Sequence, residues 1–91
     1  MKTKEEIKKI AEEYIINNKI EYSSLTENID EMRLIEKKEI RFGKREGQVL
    51  DVYIYSYAQL WGIEERGFGL YIDAISGEPL YIIAPHGYLD I

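Results

Sequence analysis

Val49-Leu50-Asp51-Val52-Tyr53-Ile54-Tyr55-Ser56-Tyr57-Ala58 divides by parity into two rows. Leu50, Val52 and Ile54 make an aliphatic row, and Tyr53, Tyr55 and Tyr57 point the other way, because side chains alternate faces along a strand. Two later runs repeat the division. Phe68, Leu70, Ile72 and Ala74 oppose Tyr71 and Asp73, and Leu80, Ile82 and Ala84 oppose Tyr81. Aligning like with like gives a sheet with an aliphatic side and a tyrosine side. The expected contact surface is then Asp51, Tyr53, Tyr55, Tyr57, Trp61, Tyr71, Asp73 and Tyr81. The competing reading is that tyrosine simply suits a half-exposed strand and pairs across it.

Upstream, Thr3 and Glu6 form a capping box, a helix-start signal. Ile7, Ile10, Ala11, Tyr14 and Ile15 follow at the spacing of one apolar helical stripe. Asn17-Asn18 reads as the stop, since asparagine tolerates the left-handed conformation of a helix end. Residues 19–31 carry turn chemistry around Ser23-Ser24, Asn28 and Asp30. Residues 32–42 alternate imperfectly, as a charged edge strand does. Gly62 to Gly67 reads as a glycine-bounded loop, and Ser76-Gly77-Glu78 as a turn. Pro79 suits the first position of a strand. The expectation is one domain, residues 1–91, of α+β class. An N-terminal helix packs on the aliphatic face of a roughly four-stranded antiparallel sheet in two layers.

Charge separates the halves. Residues 1–48 balance, with 11 Lys/Arg against 11 Asp/Glu, while residues 49–91 hold one basic residue, Arg66, against six acids, so the net −5 lies entirely in the tyrosine-rich half. Aromatic sheets that stack nucleic-acid bases need surrounding cations for the phosphates. Nucleic acid is therefore excluded as the expected partner, and a basic protein surface is favoured. No apolar run approaches the roughly 20 residues that cross a bilayer, so no membrane partner is expected. The absence of cysteine removes disulfides and thiolate chemistry. A cytoplasmic setting is the simplest expectation.

Catalytic signals are weak. His86 is the sole histidine, and Pro85-His86-Gly87 reads as a turn rather than a metal site. No serine is tied to that histidine as a triad would require, and no glycine spacing makes a phosphate loop. No enzyme activity, metal or cofactor is expected.

Leu70-Tyr71-Ile72-Asp73-Ala74-Ile75-Ser76-Gly77-Glu78-Pro79-Leu80 resembles the strand–turn–strand signature of PepSY-like domains. Lys4-Glu5-Glu6-Ile7-Lys8-Lys9-Ile10-Ala11 is similar to the helix that opens them. A related layout belongs to small bacterial immunity proteins of polymorphic-toxin systems. The resemblance implies a helix on an antiparallel sheet and a non-catalytic, inhibitory or neutralising role through protein contact. PepSY-like domains usually lie outside the cytoplasm or beside a membrane, and this chain shows no signal or span, so the resemblance favours the immunity-like version. The leading expectation is thus a small protein-binding module. The alternatives are a homodimer joined through the tyrosine face, or a small-ligand or enzyme pocket near Trp61, Asp73 and His86.

Overall fold

The computed structural model describes residues 1–89; Asp90 and Ile91 lie outside the described residues. Helix α1 (Lys4–Asn17) starts at the capping box. The Glu6 N–H donates to the Thr3 hydroxyl at 3.2 Å and the Thr3 N–H donates to the Glu6 carboxylate at 3.0 Å. The Thr3 backbone and then its hydroxyl hold the Glu6 carboxyl below its ordinary range. Ile7, Ala11 and Ile15 are buried, with Ile10 and Tyr14 packed beside them. The left-handed residue expected at the asparagine pair is instead Lys19, at φ 53°. Asn18 closes the last turn with its N–H on the Tyr14 carbonyl at 3.1 Å.

Among the described residues six strands form one open, wholly antiparallel sheet rather than the expected four. They are β1 (Ser24–Leu25), β2 (Arg33–Glu39), β3 (Val49–Trp61), β4 (Glu64–Asp73), β5 (Pro79–Ala84) and β6 (Gly87–Leu89). The main order is β1-β3-β4-β5-β6, and β2 shares the outer edge of β3 with β1. The additional strands are short: β1 emerges from the segment at 19–31, which also carries a 3-10 turn at Ile29–Glu31, and β6 folds back on β5. β2 is an edge strand, as its charges indicate. It is broken by a register shift between Ile35 and Lys38, with Lys37 at φ 52°.

The connection between β3 and β4 decides which side is interior. Residues 62–67 are not a loop. Gly62-Ile63 alone makes the turn, and Glu64 already pairs with Trp61. Gly62, at φ +64°, holds the first central position of this two-residue turn, where a positive φ fits the strand twist. The pairing sets Tyr53 opposite Ile72, Tyr55 opposite Leu70 and Tyr57 opposite Phe68. Because side chains alternate with period two, this parity moves every partner to the other face. The β3 tyrosines therefore share a face with the aliphatic row of β4, not with Tyr71.

That shared face carries the longer unbroken apolar surface, and α1 covers it. Ile7, Ala11 and Ile15 pack with Tyr53, Tyr55, Tyr57, Phe68, Leu70 and Ile72. The three tyrosines are 6%, 0% and 4% exposed. The expected open tyrosine face does not exist. Tyr57 and Phe68 stack at 5.2 Å, and the Tyr55 hydroxyl donates to the Thr26 carbonyl at 3.0 Å.

The opposite face holds a second, smaller core of Ile40, Val52, Tyr71, Leu80 and Tyr81. Tyr71 and Tyr81 pair directly across strands and stack at 4.6 Å. The β2–β3 connection folds over them and lays Phe42 against Tyr81 at 6.3 Å and Tyr88 at 5.6 Å. This lid is held by Ile40 N–H to Gln48 O at 2.8 Å and Gly47 N–H to Ile40 O at 2.7 Å. Gly77 makes the turn between β4 and β5 at φ +78°, where a Cβ would lie 2.6 Å from Lys2 Cε and 2.8 Å from Ile10 Cδ1. Its lack of a side chain lets the turn close against the start of the helix.

Candidate functional site

The eight residues expected to form one surface are distributed over two faces and two ends of the sheet. Tyr53, Tyr55 and Tyr57 lie under α1, while Tyr71 and Tyr81 lie in the second core. Asp51 and Asp73 are not paired on one face, since Asp73 sits opposite Val52. Both have local structural duties. Asp51 Oδ1 accepts the Lys37 N–H at 2.9 Å within the irregular part of β2. Asp73 Oδ1 accepts the Ile75 N–H at 2.8 Å and the Ser76 N–H at 3.3 Å, and so fixes the β4–β5 turn. Only Trp61 remains substantially exposed, at 40%. A dimer joined through the tyrosine rings is contradicted by their burial within a single chain.

Burial also sets the protonation behaviour of these phenols. Desolvation pushes Tyr55, Tyr57 and Tyr81 up to about 12 and raises Tyr71 as well. A phenol in apolar surroundings resists ionisation because the phenolate would lose its hydration. These groups act as core residues.

What the fold does expose is the end of the molecule formed by the β3–β4 hairpin tip. Beyond Ala58 and before Gly69 the hairpin strands have only each other as strand partners among the described residues. The tip reads Leu60-Trp61-Gly62-Ile63, with Ile63 99% exposed. Tight turns ordinarily carry polar residues, so three large apolar side chains around a turn glycine are unusual.

Two clefts flank this tip, and Gln59 lines both. One, of about 310 Å³, lies between the hairpin and the β5–β6 turn and is lined by Trp61, Phe68, Ala84, His86 and Leu89. The other lies between the hairpin and the end of α1, bounded by Ile16, Ile20, Tyr22 and Leu60. Ile16, Tyr22, Tyr88 and Leu89 are exposed there too. Among the described residues, seven of the eleven exposed large hydrophobic side chains thus lie at the tip or border these clefts, and Met1, Val49, Ile75 and Ile83 lie elsewhere. Contiguous exposed apolar surface marks contact sites, whereas single exposed residues do not.

Trp61 organises the first cleft. Its indole N–H donates to Gln59 Oε1 at 2.9 Å, and Gln59 in turn donates to the Glu21 carbonyl at 2.9 Å. The His86 ring lies 6.0 Å from the indole at 27°, and Phe68 meets it edge-on at 5.9 Å. The Arg66 guanidinium carbon lies 5.7 Å from the ring centroid, within cation–π range. Arg66 also pairs with Glu64 at 2.7 Å, while its Nε is buried without a hydrogen-bond partner. The structure therefore brings Trp61 and His86 together as expected, but Asp73 lies at the far end of β4.

Among the described residues no group of three or more His, Cys, Asp or Glu side chains could hold a metal ion. No helix among the described residues is long and apolar enough to cross a membrane. Comparison with known protein families, with curated proteins and with solved structures finds no match to this chain.

Sequence reading missed Leu60, Ile63, Tyr22, Tyr88 and Leu89 because none belongs to a periodic pattern that demands explanation. The available signal was the apolar composition of a glycine turn.

Proposed function

We propose that this chain is a small non-catalytic binding module that engages another protein through the hairpin pole. The observation that carries the reading is the Leu60-Trp61-Gly62-Ile63 tip, exposed at one end of the sheet and flanked by two clefts, the Trp61–His86 one largely apolar. Trp61 is braced by Gln59, His86 and Phe68, so little further side-chain freedom is lost when a partner covers it. Rigid aromatic anchors of this kind dominate interface energetics. At the pole Glu21, Glu64 and Glu65 outnumber Lys19 and Arg66, which favours a partner surface bearing lysine or arginine. An inhibitor- or immunity-type role is the form of this proposal that goes with the PepSY-like resemblance.

A second reading, a small apolar ligand in the Trp61–His86 cleft, is favoured by the aromatic lining. At about 310 Å³ the cleft stands at the lower end of ligand-pocket size.

The test is capture from source lysate with wild-type protein and a Trp61→Ala/Ile63→Ser variant. Ile63 is 99% exposed but Trp61 only 40%, so capture is compared at a temperature where the thermal melt shows both proteins fully folded. The expected result is a partner whose affinity falls by about 2 kcal/mol, roughly thirtyfold, in the variant. Equal capture of the same partner by both proteins would remove the pole from consideration.

A further inference from the structure

We infer that the partner binds as an added β-strand along the outer edge of β4 from Glu64 to Phe68, placing one large apolar side chain in the Trp61–His86 cleft. This rests on the pole being the contact surface and specifies how it is used. β4 pairs with β3 down to Glu64, but its pairing with β5 runs only from Gly69 to Ile72. The outward backbone groups of Glu64–Phe68 thus have no strand partner among the described residues, and no loop or turn backbone hydrogen bond supplies one. Unpaired strand edges are templates for another extended chain, and proteins normally blunt them.

Beyond Ala58 the outer edge of β3 offers only residues 59–61, and the remaining edges of this sheet are blunted. β2 carries a register shift and the left-handed Lys37, while β1 and β6 are two and three residues long. The Glu64–Phe68 edge has no proline, no lysine and no irregularity against β3. Its charged side chains have partners within the chain. Arg66 pairs with Glu64 at 2.7 Å, and Glu65 accepts from the Ser23 hydroxyl at 2.8 Å.

The surroundings fit an extended guest on both faces. On the helix side, Glu64, Arg66 and Phe68 share the face of Trp61, and Phe68 lines the cleft, so alternate guest side chains land on that face. On the reverse side Gly67 has no side chain, and no atom lies within 4 Å of where its Cβ would be. A second copy is a poor guest. Antiparallel pairing of the whole run with itself sets Arg66 against Arg66, and each chain carries a net charge of −5. The guest that fits is an extended segment of a different protein, with one large apolar residue between lysines or arginines.

The probe is the capped peptide Thr-Lys-Thr-Leu-Thr-Lys-Thr, titrated into isotope-labelled full-length protein and followed by amide and indole chemical shifts. Two N-methylated forms block its alternate amides, one set on each edge of the strand. The expected result is shifts centred on residues 64–68 and on the cleft lining, including the Trp61 indole, Ala84 and His86, with one methylated form at least about tenfold weaker and the other nearly unchanged. A form with Glu in place of Lys should also bind more weakly. Equal binding by both methylated forms would show side-chain capture without strand addition, overturning the inference and leaving the pole reading intact. Silence from every peptide while partner capture still depends on Trp61 would overturn it in the same way. Silence together with Trp61-independent capture would overturn both.

Discussion

Tyr55→Ala is expected to destabilise the fold by about 3–5 kcal/mol, the range for truncating a buried aromatic side chain. The ring is fully buried beneath α1, in the same core as Ile7, Ala11 and Ile15. Truncation leaves a cavity and also strands the Thr26 carbonyl, which accepts the phenol proton at 3.0 Å. Domains of this size are stable by only about 5–15 kcal/mol. The variant should therefore unfold at a much lower urea concentration and populate unfolded chains at room temperature. Tyr55→Phe separates the two contributions, since it keeps the ring and loses only the hydrogen bond, for about 1 kcal/mol. An exposed contact tyrosine would behave in the opposite way, with alanine leaving the urea midpoint unchanged.

Alkaline unfolding should begin above about pH 10 and be severe by about pH 12. The sign follows from proton binding in the two states. Tyr55, Tyr57 and Tyr81 hold their protons up to about 12 when folded, against an ordinary phenol value of 10.0. Between those values the unfolded chain has lost protons that the folded chain keeps, so stability falls as pH rises. The stabilisation is fully present below pH 10 and is lost as pH passes the folded-state values. Three phenols acting together give a slope approaching three protons per molecule, and Tyr71, also raised by burial, adds to it. Urea midpoints measured at steps from pH 9 to 12 test this. A flat profile across that interval would mean that the phenols ionise without leaving the fold.

The helix was legible because its signals are local. The Thr3–Glu6 box and the Ile7–Ile15 stripe depend only on residues a few positions apart. The turn at Ser76-Gly77 was legible for the same reason. The interior side of the sheet was not, because it depends on the register between β3 and β4. Gly67 looked like the end of a loop, yet it is strand paired with Ala58. Six residues and two are both even, so the shorter turn leaves parity unchanged; aligning tyrosine with tyrosine is what misplaced the faces. The observed register puts Phe68, Leu70 and Ile72 beside Tyr57, Tyr55 and Tyr53. Within the candidate site, Trp61 was identifiable as a large aromatic residue in a strand. Ile63 was not, since its significance comes from how far the hairpin extends past its neighbours. The strand at Ser24–Leu25 was hidden because its hydrogen bonds are all to the distant β3.

The account rests on where the phenol rings lie, and residue-resolved nitration of the native protein near neutral pH tests that most directly. Mass spectrometry should find Tyr22 and Tyr88 modified, with Tyr53, Tyr55, Tyr57, Tyr71 and Tyr81 reacting only after denaturation. Rapid modification of Tyr53, Tyr55 and Tyr57 in the folded, monomeric protein would contradict the burial of that face and return the contact surface to it.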